Sequence, residues 1–255
     1  MSAKLGGQLQ ATAADPVDRA KHIATWAWLC KALVMRAHPS ATTFTATLVN
    51  FLSDPAMGMA AAASFEVVVS DCAEALNTAS HANLRIMYRQ RYFLENVPSL
   101  IEGLHSAEAN LKKHFLIALS HLLGAVTHQV LLSELSRVFP VLVQSLSHSE
   151  TSLVAPTVKI IQRLVTDVPD FVSEHIDSLV PLLLGLCSHA KMAVRANVLE
   201  CLSCIAALPE HKVFPLASRV IKALRPVLDD HKRIVRAEAV KCCSKWYLIG
   251  GSESM

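Results

Sequence analysis

Two cysteine pairs are the residues of this chain whose type and spacing most resemble a metal or redox site. Cys201 and Cys204 lie three positions apart, and Cys242 and Cys243 follow about one repeat later. A structural zinc site takes four ligands, and an iron–sulfur cluster also needs several thiolates. Both pairs lie in apolar helical patterns and not on turns. We therefore predict core cysteines, which behave as small hydrophobes, and keep direct metal or cluster binding through Cys201 and Cys204 as the alternative.

The other residue types capable of catalysis form no recognisable constellation. The sequence contains 12 histidines, but no H-E-x-x-H zinc pattern and no G-x-S-x-G elbow for a nucleophilic serine. His148, His189 and His231 fall in predicted turns, and His114 and His121 lie seven positions apart. We expect these histidines to be solvated or hydrogen-bonded. The sequence predicts a protein that is not an enzyme and holds no cofactor.

The densest basic and aromatic stretch runs from position 85 to position 93. We predict that it belongs to an extra helical element, about 79–90, inserted between two repeats, with Arg85, Arg89 and Tyr92 (or Tyr88) on one face. Repeat proteins often place recognition in insertions, and arginine and tyrosine are favoured interface anchors. The alternative is a helix junction in which the arginines pair locally. The candidate partner-binding residues here are Arg85, Tyr88, Arg89 and Arg91.

A second group of candidates lies near the C-terminal end. Positions 210–249 hold nine basic and four acidic residues, a net charge of +5, which leaves −2 for the rest of the chain. Such a basic region can bind an acidic protein surface or a polyanion, although solvated surface charge is the alternative. The net charge of the whole chain, +3, is too small to predict direct nucleic-acid binding. The candidates are Arg219, Lys222, Arg225, Lys232 and Arg233.

A repeat of about 41 residues organises the elements that carry these side chains. Pro98, Pro140 and Pro181 recur at intervals of 42 and 41 residues, each inside the first helical stretch of a unit. The triplet at 194–196 returns at 235–237. A period near 40 with two helical segments per unit is typical of a HEAT-type solenoid. Such units bury their apolar faces only against each other and present an extended surface for binding proteins.

We therefore predict an all-α, HEAT-like α-solenoid of about five helix pairs plus a leading helix, in one domain at 16–249. Positions 1–15 are expected to be a disordered tail, positions 250–255 a frayed tail, and the chain the C-terminal part of a longer solenoid. The predicted helices are 16–37, 42–53, 56–76, 91–104, 109–126, 131–146, 151–168, 173–187, 192–208, 213–228 and 233–249.

The leading helix and the turns carry two further expectations. We place Leu29 and Leu33 on one face of that helix together with Ile23, Trp26, Cys30 and Val34. Its broad apolar surface, which includes Trp28, predicts an exposed apolar patch. HEAT units often link layers through an Asp in the turn and an Arg six positions later, a spacing that Asp230 and Arg236 have. Arg195 has His189 in the acidic position, and we expect both arginines to be structural.

Composition narrows the compartment. Seven cysteines, an odd number in mostly apolar stretches, do not predict a disulfide framework, so we expect a reducing compartment, the cytosol or nucleus. The longest apolar runs are about nine residues, against roughly 18 for a membrane-spanning helix. The N-terminal stretch has no apolar core typical of a secretory signal.

Several short stretches, in their order and spacing, resemble the C-terminal region of the MMS-nineteen (methyl-methanesulfonate-sensitivity) family of HEAT-repeat adaptors. The resemblance covers about 17–252 and rests on Leu52-Ser53-Asp54-Pro55, Ala60-Ala61-Ala62, Ser70-Asp71-Cys72, Arg85-Ile86-Met87, Arg89-Gln90-Arg91, Asn96-Val97-Pro98, Leu119-Ser120-His121, Met192-Ala193-Val194-Arg195 and Leu228-Asp229-Asp230-His231-Lys232-Arg233-Ile234-Val235-Arg236.

The resemblance implies a non-enzymatic adaptor of the cytosolic iron–sulfur assembly targeting complex. The expected partners are a small α/β assembly protein with a reactive cysteine, a WD-repeat propeller protein, and client iron–sulfur apo-enzymes of DNA replication and repair. It also implies a cytoplasmic and nuclear location, with an association with the mitotic spindle. The alternative class is a HEAT-repeat scaffold of an unrelated pathway, karyopherin-like or phosphatase-type.

Overall fold

The computed structural model describes residues 16–82, 84–85, 87–147 and 151–249, and this part of the chain forms helices and no β-strand. The predicted all-α fold is therefore confirmed for the described residues. None of the described helices has the length and apolar character needed to cross a bilayer. The helices are α1 (Pro16–Met35), α2 (Ala41–Phe51), α3 (Gly58–Val69), α4 (Tyr88–Ser106), α5 (Ala109–Leu123), α6 (His128–Leu146), α7 (Thr151–Asp167), α8 (Pro169–Ser173), α9 (Ile176–Leu186), α10 (Met192–Ile205), α11 (Glu210–Leu224) and α12 (Arg233–Tyr247), with a 3₁₀ helix (Arg225–Asp229) after α11.

The first of two compact units comprises residues 1–131. Here α3 packs against both α1 and α5, whereas α2 packs against α1 and α3, and α4 packs against α5 and α1. The indole of Trp26 stacks on Phe44 with ring centroids 4.3 Å apart, and its Nε1 donates to the carbonyl oxygen of Phe44 at 3.0 Å. Burying such aromatic area supplies much of the core stability.

Two glycines set how closely the helices of this unit approach. A Cβ atom at Gly58 would lie 2.1 Å from Nδ1 of His114, and one at Gly103 would lie 2.1 Å from the ring of Phe115. Because real Cβ atoms do not come this close to a neighbour, the packing of α5 against the start of α3 and against α4 requires glycine at both positions.

The second compact unit comprises residues 132–255. In it α10 packs against both α7 and α12, while α9 packs against α10 and α11, and α11 packs against α12. Trp246 of α12 is fully buried, and its Nε1 donates to the carbonyl oxygen of Leu202 in α10 at 3.0 Å. The second helix of one pair thus packs on the second helix of the next, as in a HEAT-like solenoid.

The predicted helix at 79–90 is wrong. The chain from Ser70 to Met87 consists of turns and bends where it is described, and α4 begins only at Tyr88. Left-handed backbone at Leu76, His81 and Met87, with φ of 56°, 57° and 67°, is incompatible with a continuous α-helix. This stretch is called the 70–87 loop below.

Smaller differences concern helix ends and one helix face. The helix predicted at 56–76 ends at Val69, and a short helix, α8, precedes α9 where one helix was predicted. Pro98, Pro140 and Pro181 lie inside α4, α6 and α9 as predicted. Leu29 was wrongly placed on the buried face of α1, because it is 39% exposed.

The exposed apolar patch expected on α1 is present, because Trp28 is also 39% exposed. The Lys31 ammonium lies 5.1 Å from the centroid of that indole. The tails predicted at 1–15 and 250–255 lie outside the described residues, and the single domain at 16–249 stays a prediction.

Candidate protein-binding surfaces

The predicted basic residues of the last repeat are exposed. Arg219 and Lys222 lie one turn apart on α11, and Arg225 begins the 3₁₀ helix. Lys232 and Arg233 lie at the start of α12. Among the described residues, none of the five has a carboxylate within ion-pair distance. We call these five residues the C-terminal basic surface.

The start of α12 places positive charge at an unfavourable position. Lys232 is the N-cap residue, Arg233 is the first helical residue, and the first turn contains no acidic residue. The helix dipole makes an N-terminus effectively positive, so each exposed cation there costs about 0.3–1 kcal/mol. No described contact within the chain offsets this cost, which is the arrangement expected of residues that meet an acidic partner.

Apolar side chains accompany these cations. Phe214 of α11 and Ile234 of α12 are each 58% exposed. A patch that combines apolar side chains with basic ones has the composition of a protein interface, in which a hydrophobic centre is surrounded by a polar rim. Sequence reasoning missed both residues, although Ile234 falls outside the 3–4-residue spacing of the buried positions of α12, and this spacing identifies it as an outward-facing residue.

An ion pair fixes the position of this surface. Arg195 of α10 donates from Nε to Asp230 Oδ2 at 2.7 Å and from Nη2 to Oδ1 at 3.0 Å. Asp230 Oδ1 also accepts the backbone N–H of Lys232 at 2.8 Å. The hydrogen bonds from Arg195 hold the pKa of Asp230 below its usual value, with further help from the Lys232 N–H. Asp230 therefore joins α10 to the turn that begins α12.

The predicted pairing of Asp230 with Arg236 is correct in location and wrong in detail. Arg236 Nη1 donates to the backbone carbonyl of Asp230 at 2.7 Å, and the Asp230 carboxylate is held by Arg195. Arg195 makes the equivalent bond in its own repeat, from Nη1 to the carbonyl of His189 at 2.7 Å. The structural role expected for both arginines is confirmed.

The second candidate group, Arg85, Tyr88, Arg89 and Arg91, is called the Arg85–Arg91 cluster. Its expected helical face is wrong, because Arg85 lies in the 70–87 loop and Tyr92 is only 1% exposed. The backbone N–H of Arg85 donates to the carbonyl of Met35 at 2.9 Å.

The side chains of the Arg85–Arg91 cluster are largely engaged within the chain. Arg89 pairs with Asp71 and lies 5.4 Å from the centroid of the Tyr88 ring. Arg91 donates to the carbonyl of Val34 at 3.0 Å, where a cation complements the C-terminal end of α1. The local pairing weighed for this stretch is therefore present, and partner binding by these residues stays a prediction.

Lys31 adds a further tie to the same region. Its Nζ donates to the carbonyl of Ser70 at 2.6 Å, at the start of the 70–87 loop. Lys31 is 1% exposed, and burial lowers the pKa of its ammonium group. These bonds tie the loop and α4 to the end of α1.

The cysteine pairs are packed in the core of the last two repeats. Cys201 and Cys242 are fully buried, Cys243 is 5% exposed, and Cys204 is half-buried. Burial raises the pKa of Cys201 above its usual value and that of Cys242 to about 11. Burial also raises the pKa of Cys243, and the Arg225 guanidinium partly offsets this rise. The core position predicted for these cysteines is confirmed.

No group of three or more potential metal-ligating side chains occurs among the described residues. His114 is 2% exposed, and its Nδ1 lies 2.9 Å from the carbonyl of Leu52. His121 lies 3.8 Å from Glu66, and burial lowers the pKa of its ring. His189 and His231 lie in turns as predicted, whereas His148 falls outside the described residues.

A sequence profile of the family described as "RNAPII transcription regulator C-terminal" (MMS19_C) matches residues 1–206. The chain is similar to the MMS19 nucleotide excision repair protein homolog of Mus musculus, with 40% identity over 97% of this chain and 24% of that protein. The DNA repair/transcription protein mms19 of Schizosaccharomyces pombe is 28% identical over 87% of this chain and 22% of its own length. The chain spans about a quarter of the length of these curated relatives.

Solved structures share the fold. Kap121p bound to RanGTP matches with a TM-score of 0.70 and 16% identity, over 99% of this chain and 24% of that one. A computationally designed armadillo repeat protein for modular peptide recognition matches with a TM-score of 0.64 and 15% identity, over 95% and 98% of the two chains. At this identity the likeness shows the fold alone, that of a helical repeat solenoid.

Proposed function

This chain belongs to the MMS19 C-terminal family, and from that membership we propose that it is a non-enzymatic adaptor in cytosolic iron–sulfur cluster delivery. It docks the assembly module and helps deliver clusters to apo-proteins of DNA replication and repair. The names of its relatives, which refer to nucleotide excision repair and DNA repair/transcription, support the client class. The HEAT-like repeats supply the extended surface that such docking needs.

The proposed partners divide into a carrier side and a client side. The carrier side is a small α/β assembly protein with a reactive cysteine, bound to a WD-repeat propeller protein, and the client side consists of iron–sulfur apo-enzymes. Holding both sides on one scaffold raises the effective concentration of each near the other. The proposal places this encounter in the cytoplasm and nucleus, and an association with the mitotic spindle accompanies it.

The cluster is cargo in this scheme. The thiols of Cys201 and Cys242 are fully buried, and burial raises their pKa values. Because the thiolate is the form that ligates metal, these cysteines are poorly suited to accept a cluster from a partner. This favours docking over cluster transfer through the chain itself.

The C-terminal basic surface is the single observation that carries the proposal. Its five cations are exposed and lack carboxylate partners in the described structure, in contrast to Arg89 and Arg91 of the Arg85–Arg91 cluster, which have partners. We assign the acidic surface of the assembly protein to the C-terminal basic surface. The Arg85–Arg91 cluster remains a second contact region within the same proposal.

Co-purification tests the proposal directly. The immobilised 255-residue chain is incubated with the purified assembly protein bound to its propeller partner, and retention is measured at increasing salt. We expect retention that weakens with salt, because exposed charge pairs are screened. An absence of retention by a chain that is folded by circular dichroism would contradict the proposal and favour a repeat scaffold of an unrelated pathway.

A further inference from the structure

A groove of about 450 Å³ separates α2 from α4 in the first unit. Its floor is formed by buried residues, among them Thr45, Asn96 and Phe115. It exists because α2 packs mainly on α1 and α3, while α4 packs mainly on α5. Its volume falls within the usual range of ligand-binding clefts. We call it the α2–α4 groove.

The lining of the α2–α4 groove is polar and acidic. It contains the carboxylates of Glu95 and Glu102 and no basic side chain. Glu95 lies 3.5 Å from Arg91 in an exposed pair, which contributes little. Among the described residues Glu102 has no ion-pair partner, and it is exposed. The remaining polar side chains of the groove are Thr42, Thr45, Asn50, Ser53, Asn96, Ser99 and Ser106.

Asn96 shows what kind of group the groove lacks. The residue is only 6% exposed, and its Nδ2 donates to the carbonyl of Tyr92 at 2.7 Å. Within the described part of the chain its Oδ1 accepts no hydrogen bond. An unsatisfied buried acceptor costs about 1–3 kcal/mol. An occupant that donates a hydrogen bond to this oxygen therefore recovers free energy that folding alone leaves unrecovered.

The donors that fit are a peptide N–H and a cation. A helix uses nearly all of its N–H groups internally, whereas an extended segment presents free backbone N–H groups along its length. A lysine or arginine side chain on the same segment supplies a charge-assisted bond to a carboxylate. An acidic occupant, including a nucleic acid, would be repelled by Glu95 and Glu102.

We propose that the α2–α4 groove binds an extended segment of another protein that carries lysine or arginine. A backbone N–H of this segment donates to Asn96 Oδ1, and a basic side chain pairs with Glu102. This site lies on a different unit from the C-terminal basic surface and prefers the opposite charge in its partner. The inference goes beyond the proposed function and does not depend on it.

Fluorescence anisotropy with a labelled decapeptide of alternating lysine and serine tests the site. The full 255-residue chain is compared with Glu102→Lys and with the matched control Glu108→Lys, which changes another exposed glutamate of the first unit that lies outside the groove. We expect binding at low salt that Glu102→Lys weakens at least about tenfold, the loss of one hydrogen bond to a charged group. Glu108→Lys should change it less than about twofold.

A second peptide isolates the backbone contact. The same decapeptide with N-methylated serine residues keeps its charge but loses every second N–H, and it should also bind about tenfold more weakly. Equal effects of Glu102→Lys and Glu108→Lys would show non-specific charge attraction and overturn the proposal. Full affinity of the N-methylated peptide, absence of binding by the parent peptide, or equal binding of an alternating glutamate–serine decapeptide would overturn it as well.

Discussion

Arg195 and Asp230 form a two-pronged ion pair that joins neighbouring repeats across 35 positions of the sequence, with N–O distances of 2.7 and 3.0 Å. Their side chains are 5% and 9% exposed. Arg195 also donates to the carbonyls of His189 and Ala190. The guanidinium is thus satisfied on both sides, which is the condition under which a buried ion pair stabilises a fold.

Replacing Arg195 by alanine should lower the free energy of unfolding by about 3–5 kcal/mol, because it leaves the Asp230 carboxylate nearly buried without its cation. Urea denaturation followed by circular dichroism measures the change. The matched control is Arg163→Ala, since Arg163 pairs with Asp167 at an exposed position one turn away and should cost no more than about 0.5 kcal/mol. Equal losses for the two variants would show that the Arg195–Asp230 pair contributes no more than a surface pair.

The same pair predicts a pH dependence. Hydrogen bonds from Arg195 lower the pKa of Asp230 in the folded chain, so the unfolded chain binds a proton at higher pH than the folded one. The contribution of Asp230 to stability is therefore fully present above its unfolded pKa of about 3.9 and is lost as the pH falls through the lower folded value. Urea midpoints from pH 6 to pH 2 should fall more steeply for the parent chain than for Asp230→Asn. Parallel curves would contradict the assignment.

The repeat period predicted most of the fold but could not assign the layers. Val194-Arg195-Ala196 and its counterpart 41 residues later correctly placed two arginines at the start of successive second helices, α10 and α12. The six-residue spacing of Asp230 and Arg236 suggested a pair within one turn. In the structure the carboxylate instead binds the arginine of the preceding repeat. Spacing alone gives the position of a side chain along the chain and not the neighbour that it meets.

The 70–87 loop shows why local patterns fail where side chains compete with the backbone. Its sequence has helix-forming residues, but Asn77 Nδ2 donates to the carbonyls of Cys72 and Ala73, both at 2.8 Å. Asn77 Oδ1 accepts the N–H of Ser80 at 2.7 Å. Such bonds give the backbone an alternative to the helix. The α2–α4 groove was also beyond sequence reasoning, because Asn96 and Glu102 carry no motif.

Adding a methyl group at Gly103 should destabilise the first unit. A Cβ there would lie 2.1 Å from the ring of Phe115, and overpacking of this kind costs about 1–3 kcal/mol. Gly185→Ala is the matched control, since that glycine also lies in a helix and a Cβ added to it would meet no atom within 4 Å. It should raise stability by up to about 1 kcal/mol through helix propensity. Thermal unfolding of both variants measures the difference, and a stabilising Gly103→Ala would refute the close approach of α4 and α5.

Thiol labelling should distinguish buried cysteines from accessible ones. Burial raises the pKa of Cys187 to about 12 and those of Cys30 and Cys242 to about 11, whereas Cys72 is only half-buried. Because the thiolate reacts, iodoacetamide at pH 8 should modify Cys72 well before these three. Peptide mass spectrometry gives the order, and labelling in urea serves as the control in which all react. Rapid modification of Cys242 in the folded chain would contradict its core position.

Charge reversal at the start of α12 should change stability and binding in opposite directions. In the doubly substituted chain Lys232→Glu/Arg233→Glu, two acidic residues replace two cations at a helix N-terminus. Each replacement should stabilise the helix by about 0.3–1 kcal/mol, so the chain should unfold at higher temperature. The same chain should lose retention of the assembly protein, because the attraction between its acidic surface and the C-terminal basic surface becomes repulsion.

The matched variant for that experiment is Lys212→Glu/Lys241→Glu, which makes the same change in net charge at two exposed positions outside the C-terminal basic surface. It should leave retention within about twofold of the parent, since rim charges far from a contact act weakly once screened. A loss of binding that accompanies a loss of stability would indicate damage to the fold. Higher stability with unchanged retention would show that Lys232 and Arg233 are solvated charge. Only the combination of a more stable chain and a lost partner assigns these two cations to recognition, because it shows that the repeat keeps an arrangement that is costly for its own folding.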